Sequence, residues 1–250
     1  MNFRINIILI AATLLVGCGT PQITRITYTP VSVSDEMTAG SDAEIAALIE
    51  PYREEMMAEM NQVIGEVSME MSGGRPESLM GNFVSDVLAE RAGKYLDDEI
   101  AFALSNAGGL RIPAIPAGPL KRSTIYELLP FDNVLVVLSL TGKKIQQLAD
   151  HMAMDGGWPV SESFAMVITN GKATEVTIRG EPLESERVYK VAMPDYVANG
   201  GDNASFLTAI PQESTGRFMR DAVLEYIAEK NKAGEPLRST ISGRVTIAEN

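Results

Sequence analysis

The 250-residue chain has one cysteine, one histidine and one tryptophan, and its 33 Asp and Glu outnumber 21 Lys and Arg, for a net charge of −12. One cysteine cannot build a disulfide framework. One Cys with one His also excludes structural zinc and the two- and three-His metal sites that activate water. Ser-His-Asp chemistry would have only His151 to work with. The shortage of basic residues excludes a dedicated nucleic-acid binder, because such binding needs a basic face that neutralises phosphates. What the chain does have is apolar material. Hydrophobic residues make up 45% and charged residues 22%, enough for a packed core and unlike a disordered chain. With no internal repeat and no break in composition, the expected fold is a single α+β domain, a mixed β-sheet packed by helices.

The apolar run at residues 7–16, behind Arg4, is too short to span a bilayer as a mature helix and reads as a secretory signal. It ends in Leu15-Val16-Gly17-Cys18, which resembles the lipobox of bacterial lipoproteins, where the signal peptidase cuts before a cysteine that is then lipidated. The resemblance implies a signal peptide at 1–17, a lipidated Cys18 with a Thr-, Ser- and Pro-rich tether to residue 40, and a globular domain at 41–250. Two or three acyl chains, at about 0.8 kcal/mol per buried methylene, hold a protein durably to a membrane. Gly19 stands where an Asp is the usual inner-membrane retention signal, so the expectation is export and anchoring in the bacterial envelope, at the outer membrane.

Along the body of the chain, Ile45, Leu48, Ile49, Tyr52, Met56, Met60, Val63 and Ile64 recur at helical spacing behind a Ser41–Glu44 capping box. This predicts a helix kinked or split at Pro51 and ended by Gly65. Alternation at Val67, Met69 and Met71 predicts a strand, and residues 79–91 a helix closed by Gly93. The strand at 100–104 runs into the Gly-containing loop Ser105–Arg111, the first place where chemistry is expected. Thr124 is expected to cap a short helix stopped by Pro130, residues 134–140 to form a fully buried strand, and Thr141 to cap a helix to Met154. Asn170-Gly171 between two apolar runs signals a type I′ hairpin. A strand at 188–193, a loop at 194–203, a helix at 216–229 and a strand at 243–247 complete the reading.

Several segments together resemble the C-terminal domain of the 5′-nucleotidase and UDP-sugar hydrolase family. They are Glu77-Ser78 with Gly81-Asn82-Phe83, Ser105–Arg111, Leu129–Asn133, Tyr189–Ala192, Asp195–Asp202 and Arg220–Val223, in the family's order over roughly residues 45 to 245. The resemblance implies a substrate-recognition domain in which a nucleotide base lies between two aromatic rings. Phe131 matches one ring, and Tyr196 matches the second, usually a Phe. Stacking on an aromatic contributes about 1–3 kcal/mol per base and tolerates any base. Phe131 could otherwise be a core residue and Tyr196 a strand-end residue bonded through its hydroxyl.

On the same resemblance, Gly201 and Asp202 form a turn whose carboxylate accepts the two ribose hydroxyls. Asn106 pairs with a base edge beside Gly108 and Gly109, and Arg111 holds a phosphate oxygen unless a surface ion pair takes it. Full-length members also carry a metallophosphoesterase half with Asp-x-His, Asn-His-Glu and Gly-His motifs that bind two metals. These 250 residues hold none of that, and His151 is expected on a helix face rather than in catalysis. A carboxylate-only metal site at Asp132, Asp195 and Asp202 is not this family's chemistry. No cofactor is therefore expected in this chain, and divalent metals are expected only in a separately made metallophosphoesterase partner. The competing expectation is a stand-alone nucleotide- or nucleoside-binding lipoprotein with no part in hydrolysis.

Overall fold

The computed structural model describes residues 43–248. The expected signal peptide, Cys18, the tether and the Ser41 cap lie outside them. The chain divides between Glu50 and Pro51 into two units. The described part of the first is residues 43–50, the start of helix α1 (Ala43–Met60). The fold below is that of the second unit.

Two expectations at α1 are corrected. The helix runs through Pro51 without a break, and the residues around it are exposed, so water can take the carbonyl that proline leaves without a donor. Its apolar stripe is exposed as well, with Leu48 at 70% and Tyr52 at 72%: the period reports a helix but not its burial. Val63 and Ile64 do not extend α1. They begin strand β1 (Val63–Val67), which pairs antiparallel with Gly118–Lys121, because ladder hydrogen bonds outweigh local helical spacing. Gly65 sits inside that strand. A Cβ there would come within 3.1 Å of Ile227.

The remaining elements follow in order. Strand β2 (Met71–Ser72) precedes helix α2 (Leu79–Leu96), whose first turn is capped by the Ser78 hydroxyl. Gly93 does not end α2; Asp97, in the left-handed conformation, does. Then come β3 (Phe102–Ala103), β4 (Ala114–Ile115), β5 (Gly118–Lys121) and helix α3 (Arg122–Leu128), which starts two residues before Thr124 and uses no side-chain cap. Strand β6 (Val134–Thr141) leads into α4 (Gly142–Met154), where the Thr141 hydroxyl accepts from Lys144 N as expected. β7 (Phe164–Thr169) and β8 (Lys172–Ile178) are joined by Asn170 and Gly171 at φ of 51° and 73°, the hairpin that the sequence signals. The chain closes with β9 (Glu181–Pro182), β10 (Val188–Pro194), the short helix α5 (Asp195–Ala198), β11 (Gln212–Phe218), α6 (Met219–Lys232) and β12 (Val245–Ile247). Residues 216–218, expected in a helix, belong to β11, which pairs with β6.

Two four-stranded sheets result, in the orders β11-β6-β10-β3 and β12-β7-β8-β9, and each mixes parallel and antiparallel pairs. In the first, β6 is covered on both faces while β11 at the edge is largely exposed. Along β6, Val136, Leu138 and Leu140 face a core shared with α4 and the second sheet, while Leu135 and Val137 face a core shared with α2 and α6. That two-sided burial explains the nearly continuous apolar run. Trp158, 1% exposed, and the Phe102–Phe164 ring pair at 4.6 Å anchor the first core, each side chain contributing about 1.5–3 kcal/mol by burial. Among the described residues no helix is long and apolar enough to cross a membrane.

Candidate functional site

The central sheet decides where the functional loops meet. β3 runs parallel to β10, with Phe102 opposite Val191, and β6 runs antiparallel to β10, with Leu135 opposite Pro194. The chain therefore leaves β3, leaves β10 and enters β6 at one end of the sheet. The loop after β3 carries Asn106 to Arg111, the segment before β6 carries Phe131 to Asn133, and the segment after β10 carries Tyr196 to Asp202. Their side chains enclose a cavity of about 280 Å³ lined by Asn106, Gly108, Gly109, Arg111, Phe131, Asn133, Tyr196 and Asp202. Seven of the eight expected ligand residues are on that wall. The eighth, Gly201, lies under the Tyr196 ring, where a Cβ would meet ring atoms at 2.4 to 2.6 Å. Cys18, the expected lipid site, is outside the described residues.

The two rings are not core residues. Phe131 is 48% exposed and Tyr196 44%. Arg111 is held at the mouth by a bond to the Gly108 carbonyl at 3.3 Å and lies 5.7 Å from the Phe131 centroid. Among the described residues no carboxylate pairs with it, so its remaining donors are open to an anion. On the opposite wall the Asp202 carboxylate accepts from Asn106 Nδ2 at 2.6 Å and from the Tyr196 hydroxyl at 3.0 Å. A carboxylate only accepts, which fixes the Asn106 amide with its nitrogen toward Asp202. Asn106 is 4% exposed, and its Oδ1 has no partner.

Residues outside the wall hold it in place. Arg220 pairs with Asp132 at 2.6 Å, donates to the Leu129 carbonyl at 3.3 Å and stacks over Tyr126, which fixes the segment that carries Phe131. Asp195 Oδ1 accepts from the backbone of Val134 and of Tyr196, tying β6 to α5. His151 is on the helix face, as expected, and partly exposed. Its Nε2 lies 2.9 Å from the Asp202 carbonyl, a bond that requires the proton on Nε2, and its ring edge meets Trp158 and Phe206. It therefore braces the turn, a role that helical spacing could not reveal. Asn133 was missed as a wall residue although it belongs to the motif with Phe131. Its signal was position, two residues past the ring and immediately before β6.

Gly108 and Asp202 are shared with an adjoining cavity of about 450 Å³, whose other lining includes His151, Trp158 and the Arg75–Asp155 ion pair. A separate cleft of about 310 Å³ opens at the other end of β3 and β10. Its cations are taken: Arg179 pairs with Glu99, Lys190 with Asp98 and Arg187 with Glu184. With no half-exposed ring, it is the weaker candidate despite its size. The two-metal centre of the resembled full-length proteins does not fit the donors present. Asp132, Asp195 and Asp202 are engaged separately, and among the described residues no three His, Cys, Asp or Glu side chains are grouped to hold a metal ion.

The chain is 27% identical over 199 residues to a 5′-nucleotidase of Vibrio vulnificus (strain CMCP6), covering 76% of this chain and 35% of the relative. It is 25% identical over 216 residues to Protein UshA of Escherichia coli (strain K12), covering 83% and 37%. The chain thus spans little more than a third of the curated relatives that it matches. Among solved structures, a 5′-nucleotidase precursor from Thermus thermophilus superposes with a TM-score of 0.68 at 26% identity, over 83% of this chain and 43% of that one. The model of the 5′-nucleotidase C-terminal domain matches residues 63–209, which contain every wall residue of the cavity, and by that match the chain belongs to the 5′-nucleotidase C-terminal domain family.

Proposed function

We propose that this chain is a nucleotide-recognition lipoprotein of the bacterial envelope, anchored at the outer membrane through Cys18. In this reading it presents a nucleotide or nucleoside to a separately encoded metallophosphoesterase and so contributes to nucleotide dephosphorylation and catabolism. The observation that carries the reading is one cavity holding two half-exposed rings, an arginine without an acidic partner and a half-buried carboxylate. Phe131 and Tyr196 clamp the base, Asp202 receives sugar hydroxyls, Asn106 holds Asp202 in place, and Arg111 takes a phosphate oxygen. The chain's own part is binding and orientation. Water activation on the phosphate belongs to the partner, which supplies the metals.

The test is calorimetric titration with AMP, adenosine and adenine, alongside a phosphate-release assay on the chain alone with Mg²⁺ or Mn²⁺. Wild-type protein is expected to bind AMP and to release no phosphate. Arg111→Ala should weaken AMP by roughly 10- to 150-fold and adenosine much less, since a charged hydrogen bond contributes about 1.5–3 kcal/mol. Equal loss for both ligands removes Arg111 from the phosphate role. Metal-dependent turnover abolished by Asp202→Asn defeats the partner model. Binding that leaves hydrolysis by a co-encoded metallophosphoesterase unchanged favours the stand-alone capture protein.

A further inference from the structure

We propose that the Tyr196 hydroxyl is a built-in occupant of Asp202 that relaxes sugar selectivity, so that the pocket accepts deoxyribonucleosides almost as well as ribonucleosides. The proposal rests on the nucleoside reading of the cavity. The Tyr196 hydroxyl lies 3.3 Å from the Asp202 amide nitrogen and 3.0 Å from Asp202 Oδ1. The amide can only donate, so the hydroxyl accepts from it and directs its single proton at the carboxylate. The other oxygen, Oδ2, takes Asn106 Nδ2 at 2.6 Å. A vicinal diol laid across the carboxylate thus meets a protein donor already on each oxygen. Asn106 is buried there, at 4% exposed, whereas Tyr196 is 44% exposed.

The tyrosine is nonetheless held in register. A Cβ on Gly201 would meet its ring at 2.4 to 2.6 Å, so only glycine lets the ring lie against that turn and keep its hydroxyl on Asp202. A sugar hydroxyl reaching Oδ1 takes its second lone pair and shares that oxygen with the phenol, so the gain from each additional sugar hydroxyl is small. A phenylalanine at 196 would keep the stacking surface and give Oδ1 to the sugar alone, which restores the full advantage of a diol.

The experiment measures affinities of the full chain for adenosine, 2′-deoxyadenosine, 3′-deoxyadenosine and adenine, in wild type and Tyr196→Phe, with a thermal melt on each preparation. Wild type is expected to prefer adenosine over either deoxynucleoside by less than about fivefold, and Tyr196→Phe to raise by about 3- to 10-fold the ratio against the deoxynucleoside that lacks the hydroxyl meeting Oδ1, while the other deoxynucleoside gains along with adenosine. Both ratios unmoved by the substitution overturn the proposal while leaving the nucleoside reading intact. So does a wild-type preference above about 50-fold, a result that does not depend on the variant folding. Failure of wild type to bind any of the four ligands overturns both.

Discussion

Glu77 and Asp202 are both carboxylates that gather donors from distant parts of the chain, and they differ in how many. The Glu77 side chain is 6% exposed and accepts four bonds. Asn82 Nδ2 at 2.6 Å and Ser242 N at 2.9 Å reach Oε1, while Gly243 N at 2.9 Å and Arg244 N at 3.1 Å reach Oε2. That fills about all the lone-pair directions a carboxylate has. Arg244, beside it, is buried and paired with Asp86 at 2.7 Å. Asp202 is half-buried, accepts from two side chains and faces a cavity. A saturated carboxylate is a clamp, here pinning residues 242–244 to the start of α2. An unsaturated one at a cavity wall has acceptor capacity left for something else.

The largest expected effect breaks the clamp. Glu77→Ala leaves three backbone amides without their acceptor and takes from the Asn82 amide one of its two, the Thr240 carbonyl remaining. It should cost about 3 kcal/mol or more, lowering the melting temperature by roughly 10 °C. A melt within 2 °C or so of wild type would show that Glu77 is dispensable and that counting donors does not separate the two carboxylates.

The second effect belongs to the pocket and should separate affinity from stability. Tyr196→Ala removes a ring that is mostly outside the core, so nucleoside affinity should fall by about 1–3 kcal/mol, roughly 5- to 150-fold, with little change in melting temperature. The reverse outcome, a lower melting temperature with unchanged affinity, takes Tyr196 out of the site.

The smallest effect sharpens the comparison with a third carboxylate, exposed yet paired. Glu229 on α6 forms a two-pronged contact with the buried guanidinium of Arg91 on α2, 2.6 Å at each oxygen. Those bonds, with Lys94 beside them, hold its pKa down to about 2 from 4.5. A folded-state value below the unfolded one means that the stabilisation is present above about pH 4.5 and is lost as pH falls toward 2. Glu229→Gln should therefore flatten the acid limb of the stability curve over that window while changing nucleoside binding little. A variant that titrates like wild type would show that the pair contributes nothing to acid stability.

What could be read in advance followed local rules. The Asn170-Gly171 turn needs positive φ and has it, Thr141 caps the helix behind it, and the apolar run of β6 matches a strand covered on both faces. Gly65 and Gly93 misled, because a glycine marks a helix end only where no tertiary contact uses it otherwise. Gly65 is in a strand beneath α6, and Gly93 is inside α2. The candidate wall was legible through its motifs, since seven of its residues lie in short segments whose order was visible. Asn133 stood inside its motif and was passed over, whereas the brace from His151 was not legible, because neighbours across 51 residues of sequence leave no periodic trace.

The sequence by itself determined the residue types and their order: rings at 131 and 196, an aspartate directly after paired glycines, an arginine after a glycine loop, and a single histidine. Tertiary structure decided which of these meet and which acceptors stay open. The parallel pairing of β3 with β10 and the antiparallel pairing of β6 bring three loops to one sheet end. The number of donors delivered then makes one carboxylate a clamp and leaves the other available. Hydrogen-bond capacity belongs to the residue, but its saturation depends on neighbours that only the folded chain supplies.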